Sequence, residues 1–254
     1  MRKVKMAQVV LIVVFLLFSL TIAYAQNHAA TGILSTGSAA TTGRGSGDNS
    51  EAGGTLATHS AYAEDSEESY FAGFSLVTNQ TAPGGGEGVD GGIFAGMGMG
   101  KKGNSIEVTL TMADVSDSKD FLISAKYQFL SETPSRPAMA IGVEAINEIP
   151  EQLERSPYIV ASKFFPKLKL PVIVSLGWGA GRFGDNIFGG IAFVITRRWN
   201  FIVEYDGMGG NVGTSFAVKV PEGYPSLVIT MGFQDAFASE YDSTFTLGAG
   251  IRFH

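Results

Sequence analysis

From Tyr70 to its last residue the chain repeats one device: short runs in which bulky apolar side chains alternate with small or polar ones. The stretch FGGIAFVITRRWNFIVEYDG, Phe188 to Gly207, shows it twice, on either side of TRRWN. Each run is too short to cross a membrane as a helix, which needs about 20 apolar residues. In an extended strand, however, Trp199, Phe201, Val203 and Tyr205 share one face, and Asn200, Glu204 and Asp206 share the other. Other runs alternate as cleanly. Ile106, Val108, Leu110 and Met112 oppose Glu107, Thr109 and Thr111, and Phe121, Ile123, Ala125, Tyr127 and Phe129 oppose Ser124, Lys126 and Gln128. Leu227, Ile229, Met231 and Phe233 do the same against Thr230, Gly232 and Gln234, as do Phe245, Leu247, Ala249, Ile251 and Phe253 against Thr246, Gly248, Gly250 and Arg252. About twelve such segments of roughly eight to ten residues are present, near the length of a tilted transmembrane strand.

Alternation alone also fits a soluble β-sandwich. Three features favour a membrane barrel. The polar face is built of small residues, Gly96, Gly98, Gly142, Ser175, Gly177, Gly179 and Gly190, as a narrow lumen requires and a solvated sheet does not. Tight connections (KKGN, PKLK, TRRW, PEGYP) alternate with longer ones (TNQTAPGGGEGVD, NEIPEQLERS, QDAFASEYD), the rhythm of short periplasmic turns and long outer loops. LSETPSRP is longer than that rhythm predicts. Aromatic residues gather at strand ends, as interface girdles do. With both termini periplasmic, Tyr70, Tyr127, Phe129, Phe164, Trp199 and Phe253 fall near the inner boundary. Phe121, Tyr158, Trp178, Tyr205, Phe233 and Phe245 fall near the outer one.

The start of the chain predicts export. Arg2, Lys3 and Lys5 precede an apolar core from Val9 to Leu20, and AYA before Gln26 reads as a cleavage site, so residues 1–25 are expected to be a signal peptide. Residues 26–66, rich in Ala, Gly, Ser and Thr, are expected to form a disordered low-complexity lead-in, because such a segment buries too little to offset its ordering entropy. Residues 67–254 are then an all-β domain, a single antiparallel up-and-down transmembrane barrel in the bacterial outer membrane. The chain contains no Cys, which excludes disulfides, thiolate metal sites and a lipid-modified N-terminal cysteine. A net charge of −6 gives no electrostatic case for nucleic acid.

The inward faces carry charges in an ordered series: Glu107, Lys126, Glu144 and Lys163, then Glu204, Lys219 and Arg252. Buried charge is costly unless paired, and opposite charges on neighbouring strands stabilise one register. They are therefore expected to form a lumenal network that orders the barrel; in a water-filled pore the same groups would set selectivity. Catalysis finds little support. The 3 histidines, His28, His59 and His254, lie in the lead-in and at the C-terminus, away from any Ser partner, and their scatter offers no metal spacing. Asp114, Asp117 and Asp120 read better as a solvated loop than as a Ca²⁺ site. GMGMGKKG fails as a phosphate loop, with Ala95 where the first Gly is required and Lys102 after Lys101 in place of Ser or Thr. No cofactor and no metal are expected.

SPYIVASKFF, LGWGAGRFG, FGGIAFVI and NFIVEYDGMGGNVG resemble the core pattern of the YjbH-like family of bacterial outer-membrane proteins. The resemblance covers Ser156 to Phe216. It is carried by Ser162-Lys163, Gly177-Trp178-Gly179, Phe188-Gly189-Gly190 and Glu204-Tyr205-Asp206-Gly207. It implies an outer-membrane barrel tied to exopolysaccharide production or export. Lys163 and Glu204, both read as inward, would then form a lumenal ion pair among small glycines. The expected function is a non-enzymatic barrel serving exopolysaccharide secretion or envelope assembly, with outer-membrane lipid, and polysaccharide or export machinery, as its partners. The alternatives are a narrow, porin-like diffusion channel for small solutes and an adhesin-like surface module.

Overall fold

The computed structural model describes residues 55–63, 69–79, 88–101, 103–113, 120–147, 154–221, 224–237 and 243–253. The signal-peptide expectation for residues 1–25, and residues 26–54 and 64–66 of the expected lead-in, lie outside the described residues. So do Asp114 and Asp117.

Alternating runs become strands. In order they are β1 (Ser69–Asn79), β2 (Gly88–Lys101), β3 (Asn104–Ala113), β4 (Asp120–Leu130), β5 (Ala138–Glu144) and β6 (Ser156–Phe165). There follow β7 (Val172–Gly179), β8 (Asn186–Thr196), β9 (Trp199–Tyr205), β10 (Gly210–Val218), β11 (Ser226–Phe237) and β12 (Thr244–Phe253). A 3₁₀ turn, Gly181–Phe183, sits between β7 and β8. Each strand pairs antiparallel with its neighbour, and β12 returns to β1, with Tyr70 opposite Phe253 and Val77 opposite Thr246. The sheet is a closed up-and-down barrel. Closure leaves no edge strand, so the ladder satisfies the backbone groups that hydrocarbon cannot solvate.

The pleat sorts the side chains as the period predicts. Leu110, Ile123, Leu176, Ile191 and Phe201 lie outside and exposed, while Glu107, Leu122, Lys126, Asn200, Ile202 and Glu204 lie inside and buried. Large apolar side chains are exposed all round the barrel, the kind of belt that outer-membrane barrels present to lipid. Aromatic groups mark its two ends. Tyr70, Tyr127, Trp199 and Phe253 are exposed on the side where β1 begins, and Trp178 and Tyr205 on the other. Their polar atoms find partners at the rim: Tyr127 Oη donates to Asn104 Oδ1 (3.0 Å), Trp199 Nε1 to Thr214 Oγ1 (2.8 Å) and Tyr205 Oη to the Gly207 carbonyl (2.9 Å). Such rings suit a boundary that is apolar on one side and wet on the other.

Tyr158 and Phe164 depart from the expected girdles. Both are buried inside the barrel, with Ile159 and Phe165 on the outer face of β6 instead. This strand carries apolar residues on both faces, so its phase follows from pairing with β5 and β7 and not from hydropathy. The lumen is accordingly less polar than its glycines suggest. Phe71, Phe94, Tyr158, Phe183 and Phe188 all point into it, and glycines make room for them. A Cβ at Gly177 would lie 2.4 Å from Cζ of Phe188, and one at Gly142 would lie 2.4 Å from Cζ of Tyr158.

The largest departure concerns the lead-in. Thr55–Ala63, expected to be disordered, runs through the lumen with every residue from Thr55 to Tyr62 buried. Leu56, Ala61 and Tyr62 belong to the same apolar cluster as Tyr158, Phe183, Phe188 and Ile202. Leu56 rests against Gly213 and Gly232, where the wall has no side chain. The barrel interior supplies the burial that this segment cannot generate alone, which offsets its ordering entropy.

A candidate functional site in the plugged lumen

The site is the set of wall groups that hold Thr55–Ala63. At the upper end, near the 3₁₀ turn, β9 places Glu204 inward and fully beneath the segment. Its carboxylate accepts hydrogen bonds from the backbone N–H groups of Leu56 (3.1 Å), Ala57 and Thr58 (3.1 Å), and from Thr58 Oγ1 (2.9 Å). Consecutive N–H groups converging on one carboxylate offset its loss of water. The bends at residues 56–58 are what turn the three donors to one side.

Glu144, at the end of β5, is the second anchor. It accepts from His59 Nε2 (2.6 Å), from Arg182 Nη2 (3.1 Å) and from Arg182 Nε. Arg182 reaches in from the 3₁₀ turn with its guanidinium over the ring of Phe183 (4.1 Å) and donates to the Ala57 carbonyl (3.1 Å). The imidazole of His59 stacks on Tyr158, with centroids 4.1 Å apart and planes 6° from parallel. Nε2 therefore carries a proton directed at Glu144. Burial pushes the His59 pKa below 6.5, against the pull of the Glu144 carboxylate.

Lower down, Lys126 Nζ lies 3.5 Å from Glu107 Oε1 and donates to the Tyr62 carbonyl (2.8 Å). Ala61 N donates to Ser162 Oγ (2.8 Å), which contacts Ser175 Oγ (2.7 Å), and Ala63 N donates to Gln128 Oε1 (3.0 Å). Tyr62 Oη donates to Glu132 Oε2 (2.6 Å) in the long connection between β4 and β5. That connection, residues 131–137, closes on itself through Thr133 and Arg136. Its length brings Glu132 under the barrel, where it also meets Lys163 Nζ (3.2 Å) and Phe164 N (3.0 Å).

The expected charge network is redrawn by this geometry. Glu107 and Lys126 pair across β3 and β4, where the register sets them opposite each other. Glu144 meets a loop arginine in place of a strand lysine. Glu204 meets backbone amides of the plug, and the expected pair with Lys163 does not form. Lys163 occupies the outward phase of β6, and its Nζ folds over the carbonyls of Thr133 (the shortest contact), Pro134 (3.3 Å) and Arg136 (3.4 Å). Lys219 lies past the end of β10 and is exposed, so it adds nothing to the lumen. Arg252 keeps the inward phase of β12 but sits beside Phe71 and Ser226, near the end where the strand finishes. Sequence reasoning missed His59, Thr58, Glu132 and Arg182. One signal was available: Leu56, His59 and Tyr62 interrupt the Ala/Gly/Ser/Thr composition at a spacing of three.

Residues 101–188 match the family model YjbH, described as exopolysaccharide biosynthesis protein YbjH. The matched stretch is a segment of the barrel wall. That segment runs from the end of β2 to Phe188 on β8 and supplies one wall of the plug site, including Glu107, Lys126, Glu132, Glu144, Ser162 and Arg182. It overlaps the resembling stretch from Ser156 to Phe188, whereas the Glu204 motif lies beyond it. No curated protein matches the chain. Among solved structures, the crystal structure of Neisserial surface protein A (NspA) is similar at 14% sequence identity, covering 74% of this chain and 96% of that one. Its TM-score is 0.22, too low for the likeness to bear on the argument.

Proposed function

We propose that this chain is a non-enzymatic barrel of the bacterial outer membrane that serves exopolysaccharide secretion or envelope assembly, with its lumen closed at rest. The observation that carries the closed state is the buried Thr55–Ala63 segment, gripped along its length by wall groups. The YjbH match over residues 101–188 supports the link to exopolysaccharide. The exposed apolar belt with aromatic residues at both rims supports the membrane location. His59, the only histidine among the described residues, is committed to Glu144 through Nε2 and stacked on Tyr158. That supports an anchoring role for it over general-base chemistry.

The test is genetic and electrical. Deleting the gene is expected to lower secreted polysaccharide, with recovery on complementation, and the purified wild-type barrel is expected to be silent in planar bilayers. Unchanged polysaccharide would sink the secretion reading. Steady conductance of the wild-type protein would favour the diffusion channel.

A further inference from the structure

Three features of the lumen concern the permanence of the plug. The strand ladder closes through β1 and β12 without a bond from Thr55–Ala63. Charged wall groups other than Glu204 keep partners when the segment is taken away: Lys126 retains Glu107, Arg182 retains Glu144, and Lys163 retains Glu132. The grip is directed mainly at the backbone of the segment, through five N–H groups and the carbonyls of Ala57 and Tyr62. Water replaces bonds of that kind at small net cost. Leu56 and Tyr62 are the only large apolar or aromatic side chains of the segment besides the His59 ring. Glu204 alone among these carboxylates depends on the plug for all the bonds described above, which makes it the latch.

We propose that Thr55–Ala63 is a releasable ligand, and that the track it vacates is a binding site for an extended polypeptide, a second copy of this sequence supplied in trans included. The chemistry of the track matches a peptide strand. Glu204, Ser162 and Gln128 accept from N–H groups, and Arg182 and Lys126 donate to carbonyls, at intervals along one line through the barrel. Two side-chain positions are read as well: an imidazole by Glu144 and Tyr158, and a phenol three residues later by Glu132. This inference rests on the proposed closed state; a negative result below leaves the secretion assay to judge the polysaccharide reading separately.

The experiment replaces residues 55–63 with a Gly/Ser sequence of equal length in the full chain, checks the fold by heat-modifiable gel mobility, and records conductance in planar bilayers. The replaced barrel is expected to conduct where the wild type does not. A synthetic peptide of the Thr55–Ala63 sequence is expected to close it, and adding Glu204→Gln to the barrel to weaken that closure by roughly 10- to 100-fold, as loss of charge-assisted bonds implies. A folded but silent replaced barrel, or a peptide no better than its scrambled version, would overturn the proposal. A neutral oligosaccharide blocking at the same concentration would overturn the assignment to polypeptide. If the replaced barrel does not fold, amide hydrogen exchange of the wild type decides. Plug amides exchanging well ahead of the strand ladder support release, and amides as slow as the ladder refute it.

Discussion

Glu204 and His59 show how much of this lumen depends on single groups. In Glu204→Gln the shape is kept but an oxygen that accepts becomes an amide that donates, facing the N–H groups of Ala57 and Thr58 or of Leu56. Docking of the plug should weaken by about 1.5–3 kcal/mol, the scale of a bond to a charged group, read as faster exchange at residues 56–58. His59 sets a pH dependence. Its folded pKa lies below 6.5, so the released segment binds more protons than the docked one as pH falls. Docking is then fully favourable above that value and weakens as pH drops from about 6.5 toward the lowered pKa. Exchange at the plug should quicken between about pH 8 and about pH 5 relative to the ladder. His59→Gln should flatten the profile; an unchanged profile would remove His59 from the account.

Among the elements, the pairing of inward glycines with inward aromatic rings is the recurring device. Gly177 on β7 faces Phe188 on β8, and a Cβ there would also lie 2.6 Å from the Ile159 carbonyl oxygen. Because that oxygen belongs to the β6 backbone, Gly177→Ala forces strands apart instead of rotating a side chain. It should destabilise the barrel by about 1–3 kcal/mol, seen as a lower temperature for the shift in gel mobility. Leu176→Ala, on the outer face of the same strand, should be far milder. Strands with one apolar face, such as β3, β4 and β9, were legible from periodicity. In β6 both faces are apolar, so neither the inward turn of Tyr158 nor the outward phase of Lys163 could be read before the register with β5 and β7 was known.

The molecule as a whole combines an exposed apolar outer surface with an interior closed by its own chain. Leu176 is 61% exposed near the middle of β7, so Leu176→Arg distinguishes lipid from water as the surrounding solvent. In a bilayer it should cost about 2–4 kcal/mol, measured by unfolding from liposomes. Little or no change would mean that this face does not meet hydrocarbon.

The alternation of side chains by itself determined the strands, their antiparallel closure and the outward face of those with one apolar side, because a pleat has period two and an open edge leaves backbone groups unpaired. The tertiary structure alone decided what fills the cylinder. Thr55–Ala63 lacks the period-two alternation of a strand and has too little apolar surface to fold by itself. Its order comes from Glu204, Glu144, Lys126 and Arg182, groups on separate strands and a distant turn that only barrel closure brings around one segment.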